Sequence, residues 1–505
     1  MISTISQAFL LFGTLVLYCL CVSLRRRRLP LPPGPKGLSL VRTLRRAVDR
    51  PWLTYAQLAA TYGDVVYLDI PGNPTIIINS TQAAGDLFEK RSGNYSDRPD
   101  FTMLKLTGWG NNFAFMRYSN RWRTHRRMFH QYFQSCAVPA YYPVQMKATL
   151  VLLQQLLKSP NEFARHVRHH ASSIIMKTVY GYDVDPNGDR FVELADQALE
   201  GIRIVGNVGS VLVDYVPILK YLPRWMPGTN FISIARSWRK DVEEMIQAPF
   251  EYTTKSLANG FAPSSLVSEN LMKIGASENR DSETHLDVVR YTAAVAFSAG
   301  ADSTVSVMLS AILAFLLYPE VQAKAQAELD AVVGHGIRLP NFNDRPRLPY
   351  INAIVLEALR WNPVAPLGIA HRCVKEDVYR GYYIPEGAAV IGNSWAILHN
   401  EKNYPNPLVF DPDRFVPQDG KEVQPKPVAA FGFGRRICPG QYLALDTVWI
   451  AIASMASTLS FSKAVDSEGR VMEPSGNYTS GFVCEPIPFK CTIKARSAAA
   501  RVLLG

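Results

Sequence analysis

The segment from Phe431 to Gly440 reads FGFGRRICPG and sets one cysteine, Cys438, among glycines and arginines. An apolar helical pattern follows through Leu443, Thr447, Ile450 and Ala451, so a loop feeds a helix at this point. Backbone N–H groups and the positive end of a helix dipole favour thiolate over thiol at such a start, and thiolate is the form that ligates a metal. Gly432 and Gly434 would let the backbone turn tightly under a flat cofactor, and Gly440 would let the helix approach it closely. Arg436 offers a guanidinium to a carboxylate. A lone loop cysteine is by default a buried, inert thiol. The residues around this one reverse that default.

Three further constellations could do chemistry. Ala299 to Thr304, AGADST, lies inside the most apolar internal stretch, Tyr291 to Tyr318. That stretch is long enough to cross a bilayer, but Asp302 near its centre would cost about 2.5–3.5 kcal/mol on the insertion scale. The sequence therefore predicts a helix buried in a large protein, ending at Pro319. Glu357 and Arg360 share a helix face at i, i+3, and Trp122 and Arg126 stand about one turn apart; alone, each is an ordinary surface pair. His166, His169 and His170 have no complementary carboxylate or cysteine cluster, and are read as a solvated helix face with no zinc site.

The elements around these residues are mainly helical. Short alternating runs at Val65 to Ile70 and Thr75 to Ile78 predict strands, and the polar stretch near Pro263 to Glu283 predicts a surface loop. Across 505 residues, 48% hydrophobic and 19% charged content fits a folded chain with a large core. The net charge of +11 has one concentrated source, Arg25 to Arg28, directly after an apolar run from Ile5 to Leu24. A cleavable signal peptide would carry its charge before the apolar run, so an uncleaved single-pass anchor is expected, with the rest cytosolic. The expected organisation is an anchor at 1–24, a basic and proline-rich hinge at 25–37 that acts as a stiff spacer, and a catalytic domain at 38–505. The seven cysteines are odd in number, with no CxxC pair, as in a reducing compartment. The sequons at Asn79, Asn94 and Asn477 are read as chance matches, and nucleic acid is not an expected partner. No Rossmann or P-loop fingerprint appears, so electrons for any redox chemistry must come from another protein.

With these residues in view, the chain resembles the cytochrome P450 family. The haem-binding signature F-x-x-G-x-R-x-C-x-G is met by Phe431, Gly434, Arg436, Cys438 and Gly440. The Glu357–Arg360 pair, the segment from Phe410 to Phe415, FDPDRF, the W-x-x-x-R pair and the AGADST helix match further motifs, covering essentially all the chain after the anchor. The resemblance implies a mainly α fold with small β-sheets and haem b between the central helix and the cysteine-loop helix. It makes Cys438 the axial iron ligand, and sets Trp122, Arg126, Arg436 and either His371 or Arg372 on the haem propionates. It joins Glu357, Arg360 and Arg414 in a buried structural triad.

In the central helix the resemblance makes Gly300 the point where the helix opens over the cofactor, and Asp302 with Ser303 an acid–alcohol proton relay. Threonine is usual at the alcohol position, so Thr304 is a candidate to share the task with Ser303. Substrate contacts are implied at Phe101, Phe115, Val295, Phe297, Val364, Ile369 and Phe482. The implied activity is monooxygenation: one atom from O2 enters a lipophilic molecule, with NADPH electrons delivered by a separate reductase, and cytochrome b5 as a possible second donor. Arg121, Arg123, Arg127 and Arg435 are candidates for the reductase surface. The general character is similar to fungal members of the endoplasmic reticulum membrane that act on secondary metabolites such as terpenoids. A haem-thiolate carrier or sensor of lipid or gas, and a reductase-independent isomerase or dehydratase, are the competing readings; the Asp302–Ser303 pair disfavours both.

Overall fold

The computed structural model describes residues 29–206, 211–223, 225–226, 228–276, 282–420 and 422–505. The expected anchor and the Arg25–Arg28 run lie outside them. Four strands form one sheet: β1 (Val65–Leu68), β2 (Thr75–Ile78), β3 (His371–Arg372) and β6 (Ala389–Gly392) in the order β1-β2-β6-β3. β2 and β6 run parallel and the other neighbours antiparallel. All residues of β1, β2 and β6 are buried, which explains continuous runs such as TIII instead of strict alternation. Two further antiparallel pairs, β4 (Asp377–Tyr379) with β5 (Tyr382–Ile384) and β7 (Leu459–Lys463) with β8 (Cys491–Ala495), complete the sheets among the described residues.

Helices make up the rest. Those that matter for the site are α1 (Asn120–Phe133), α2 (Tyr142–Lys158), α3 (Phe163–Tyr180), α4 (Arg190–Val205), α5 (Asn230–Ala258), α6 (Leu266–Gly275), α7 (Ser282–Leu317), α8 (Pro319–Val332), α9 (Pro349–Trp361) and α10 (Gln441–Thr458). α7 is the axle of the molecule, packed most extensively on α3 and also against α1, α6, α9 and α10. Its most apolar window is 83% buried inside the protein, so this is a core helix and not a span. Pro319 does more than end it: after Tyr318 it opens α8, where a missing N–H costs nothing.

Three expectations fail here. Within the stretch read as a loop, Ser265 and Ser268 form a capping box and start α6, whose Leu266, Val267 and Asn270 are buried. Its serines and asparagine face inward, with Asn270 Nδ2 donating to Tyr132 Oη at 2.8 Å, so polar composition concealed a packed helix. The proline-rich stretch is not a free spacer either. Tyr67 N donates to Pro33 O at 2.9 Å and Tyr383 N to Pro30 O at 2.8 Å. A Cβ on Gly34 would lie 1.8 Å from Tyr67 O, so the strap is pressed onto the sheet.

Third, the histidines of α3 are not a solvated face, because α2 and α7 cover the helix on two sides. His166 Nε2 lies 2.8 Å from Ser159 Oγ, and His170 Nε2 lies 3.1 Å from Thr149 Oγ1. Burial pushes His170 down to about 3.

The triad forms away from these helices. Glu357 on α9 receives Arg360 at 2.7 and 2.8 Å and Arg414 Nε at 3.2 Å, with all three side chains at most 1% exposed. Burial raises the Glu357 carboxyl above its ordinary value even though Arg360 and Arg414 oppose it.

Removing the carboxylate would strand two buried guanidiniums. Glu357→Ala is therefore expected to cost about 3–5 kcal/mol, read as a lower urea midpoint at constant m-value. Stability should also fall with acid. The unfolded His170 takes its proton near pH ~6.5 while the folded one resists to about 3. Its contribution is whole above that window and is lost at up to ~1.4 kcal/mol per pH unit as the pH falls through it. Urea unfolding between pH 7 and 5 should show that slope, and His170→Gln should make it shallower.

Candidate active site

The cysteine loop runs through two short turns, Val428–Phe431 and Gly434–Arg436, into α10. Gly432 and Gly434 take φ of 84° and 54°, so both serve the turning role expected of them. Gly434 is constrained twice over, since a Cβ there would sit 2.0 Å from Phe88 O. Gly440 differs: the nearest atom to its notional Cβ is in the Phe129 ring at 3.8 Å, so packing within the chain does not demand glycine. Cys438 N donates to Phe431 O at 2.8 Å and closes the loop. Burial pushes the Cys438 thiol up, and the backbone N–H groups of Gly440 and Gln441, together with Arg126, pull it back only in part. The helix start alone does not hold a thiolate here; contact with a metal cation would.

Cys438 faces a cavity of about 340 Å³, within the range of sites that enclose a small molecule. Trp122, Arg126, His371 and Arg436 line the same cavity. Arg436 lies over the Trp122 ring at 4.3 Å and donates to the carbonyls of Ser96 and Met116 at 2.7 and 2.8 Å. Burial brings it down to about 10. The strand β3 separates the two adjacent candidates, because successive side chains point to opposite faces. His371 turns to the cavity, its Nδ1 donating to Tyr95 O at 2.6 Å, whereas Arg372 turns away to Asp97 Oδ2 at 3.3 Å. Burial, then Arg98 and Arg436, hold His371 well below the usual histidine range, so it is neutral.

One lining residue was not foreseen. Arg98 is 3% exposed and donates to the carbonyls of Ala114, Ile369 and Ala370. Burial, then Arg436, lower it well below the ordinary guanidinium value, and Arg126 adds to the repulsion. Its segment, YSDRPDF, carries no motif or periodicity that marks it. Three guanidiniums thus converge on one apolar cavity, and the carboxylate that offsets two of them, Asp97, is already held by Arg117 and Tyr118 N at 2.8 Å each. A flat apolar group that carries carboxylates and a thiolate-binding metal fits this donor set.

On the opposite wall α7 presents Gly300, Ser303 and Thr304. The helix is continuous across Gly300, where a Cβ would lie 3.1 Å from the Ile175 side chain of α3. The glycine serves close helix packing here. Ser303 Oγ donates to Ala299 O at 2.7 Å within its own helix. Asp302 is 3% exposed, and both its oxygens are taken by arginines: Arg203 at 2.6 and 3.3 Å, and Arg168 at 3.2 Å.

Comparison with known proteins agrees with this geometry. The family model described as cytochrome P450 matches residues 32–493. The chain belongs to the cytochrome P450 family. It is 41% identical to a cytochrome P450 monooxygenase of Armillaria gallica over 97% of this chain and 96% of that one. A cytochrome P450 monooxygenase of Coprinopsis cinerea is 39% identical over the whole of both chains. The tryptamine 4-monooxygenase of Psilocybe cyanescens is 39% identical over 94% of each. The P450 family implies haem, thiolate ligation and use of O2, and its monooxygenase members are the consistent relatives.

Phe115, Val295, Val364, Ile369 and Phe482 line the cavity of this P450. Phe101 and Phe297 do not. Phe101 stands behind Phe115, ring centroids 5.3 Å apart, and Phe297 lies on another side of α7 against Tyr180. On the outer face, Arg121, Arg123, Arg127 and Arg435 are exposed, with Arg123 over the Tyr118 ring and Arg435 donating to its hydroxyl at 3.1 Å.

The two glycines can be told apart. Gly434→Ala should abolish the red-shifted carbon monoxide band, since strain of about 1–3 kcal/mol from positive φ adds to the overlap with Phe88 O. Gly440→Ala should leave unfolding stability unchanged, so any loss of that band in this variant would report contact with the cofactor itself. Parallel urea melts and reduced carbon monoxide spectra of the two variants check both outcomes.

Proposed function

We propose that this P450 is a membrane-tethered haem-thiolate monooxygenase that inserts one oxygen atom from O2 into a neutral lipophilic molecule, such as a terpenoid. The observation that carries the reading is Cys438 on the wall of an apolar cavity where two buried guanidiniums and the half-buried Arg126 meet with little carboxylate to balance them. Arg98, Arg126 and Arg436 would hold the haem carboxylates, with Trp122 and neutral His371 completing the rim, and Cys438 would ligate the iron. Bound haem would supply activation of O2.

The chain's own residues would do the rest. Phe115, Val295, Val364, Ile369 and Phe482 would exclude water and orient an apolar substrate. The Ser303 hydroxyl would hold and pass a proton, replenished from Asp302, with Thr304 beside it. One relative is named for action on tryptamine, but an amine would need an anionic partner. In this cavity the Asp302 oxygens are already on Arg168 and Arg203, which favours a neutral substrate. An anchor at Ile5–Leu24 followed by Arg25–Arg28 would place the enzyme on the cytosolic face of the endoplasmic reticulum. An NADPH-dependent reductase would dock on the exposed arginines Arg121, Arg123, Arg127 and Arg435.

The reduced protein should show the red-shifted carbon monoxide band of a thiolate ligand, and Cys438→Ser should lose it; an unchanged band in that variant would remove the ligand assignment. Arg123→Glu with Arg435→Glu should slow reduction by the reductase at low salt. The difference from wild type should shrink above 0.1 M salt, where charges are screened within about 10 Å. Substrate conversion without NADPH or reductase would overturn the monooxygenase reading.

A further inference from the structure

In this structure the acid and the alcohol of the central helix are not assembled for transfer to each other. Ser303 donates to Ala299 O, while Arg168 and Arg203 occupy the Asp302 carboxylate. For the pair to act, those arginines must move, so what holds them matters. Both are attached to one turn near the carboxyl end, residues 481–485.

Arg203 sits on the last helical turn of α4. Its side chain grips Asp302, and its carbonyl accepts from Phe482 N at 3.0 Å. The contact has no slack: a Cβ on Gly481 would lie 2.6 Å from Arg203 O, and one on Gly206 would lie 2.5 Å from the Phe482 ring. Arg168 of α3 meets the same turn through Glu485 at 3.4 Å. Both arginines also reach Asp196, at 2.9 Å from Arg203 and 3.4 Å from Arg168. Three carboxylates therefore share two guanidiniums, and displacement of either cation changes what Asp302 feels. The turn's other surface is the cavity wall, where Phe482 and Val483 face whatever the cavity holds. Close-packed elements of this kind transmit displacement instead of absorbing it.

We propose that Arg203 is a positioning residue that couples the Phe482 wall of the cavity to the buried Asp302 carboxylate, so that a molecule pressing on Phe482 repositions the acid. A bound molecule that displaces the ring carries the Gly481–Phe482 turn with it and draws the last turn of α4, with the Arg203 guanidinium, relative to α7. By reciprocity, neutralising Asp302 alters how a ligand is received at Phe482. The inference rests on the haem-thiolate reading and adds to it a route by which cavity occupancy reaches the proton donor.

The test is spectral titration of the haem-loaded full chain with 4-phenylimidazole, whose nitrogen ligates haem iron and whose phenyl ring must share the cavity with Phe482. Dissociation constants are measured for wild type, Phe482→Ala, Asp302→Asn and the double variant, then for the same set carrying Arg203→Gln or Arg203→Lys. The expected result is a double variant that departs from the product of the single effects by about threefold or more, the scale seen for connected residues. The departure should shrink below about 1.5-fold with Arg203→Gln and return with Arg203→Lys, an outcome that a merely structural role would not produce. Multiplicative effects in the wild-type background overturn the proposal whether or not the Arg203 variants fold. A departure that survives Arg203→Gln overturns the assignment of Arg203. The reduced carbon monoxide band of each protein is recorded alongside: its absence in wild type defeats the haem-thiolate reading, and its presence with multiplicative effects defeats only this inference.

Discussion

A sulfur atom that must carry negative charge inside an apolar bundle is a costly thing to build, because the charged form of any buried group is penalised by desolvation. Burial works against the Cys438 thiolate more strongly than the helix-start N–H groups and Arg126 work for it. Two buried guanidiniums, Arg98 and Arg436, and the half-buried Arg126 across the same cavity carry the opposite penalty, each lowered by desolvation. The two unfavourable arrangements face the same space. A group presenting a metal to the sulfur and carboxylates to the arginines would relieve both.

The remainder of the fold holds that space open and rigid. α7 supplies one wall and is packed against α1, α3, α4, α5, α6, α8, α9 and α10. The Glu357 triad locks α9 to the segment carrying Arg414, whose guanidinium also donates to Gln424 Oε1 at 3.0 Å on the way to the cysteine loop. The triad is fully paired and remote from the cavity, whereas Arg98 and Arg436 are poorly paired and gathered at it. That contrast separates residues that hold the fold from residues that receive a ligand.

Much of this was legible in the amino-acid order wherever function demands particular residues at fixed spacing. Cys438, Arg126 and Trp122 fall in short motifs whose types are dictated by chemistry, and all three reach the cavity. Glycine spacing showed where the backbone turns but not what it approaches: Gly434 yields to Phe88 O and Gly300 to Ile175, neither of them near in sequence. Arg98 was hidden because its role arises from three carbonyls, at Ala114, Ile369 and Ala370, two of which are more than 250 residues away. The helix at Leu266–Gly275 and the buried histidines of α3 were hidden for a related reason. Polar side chains that satisfy one another inside a protein look, one at a time, like solvent-facing residues.

The clasp between the proline strap and the sheet sets a mechanical limit. With the carbonyls of Pro30 and Pro33 fastened to Tyr383 and Tyr67, only the residues before Pro30 remain as tether. For a membrane segment ending at Leu24 the slack is about six residue steps, roughly 20 Å fully stretched, where a strap loose to residue 37 would allow roughly 45 Å. On so short a leash the body could not swing freely above a bilayer. The direction in which the cavity faced the lipid would then be a property of the strap, set by where Pro30 is pinned on the globule.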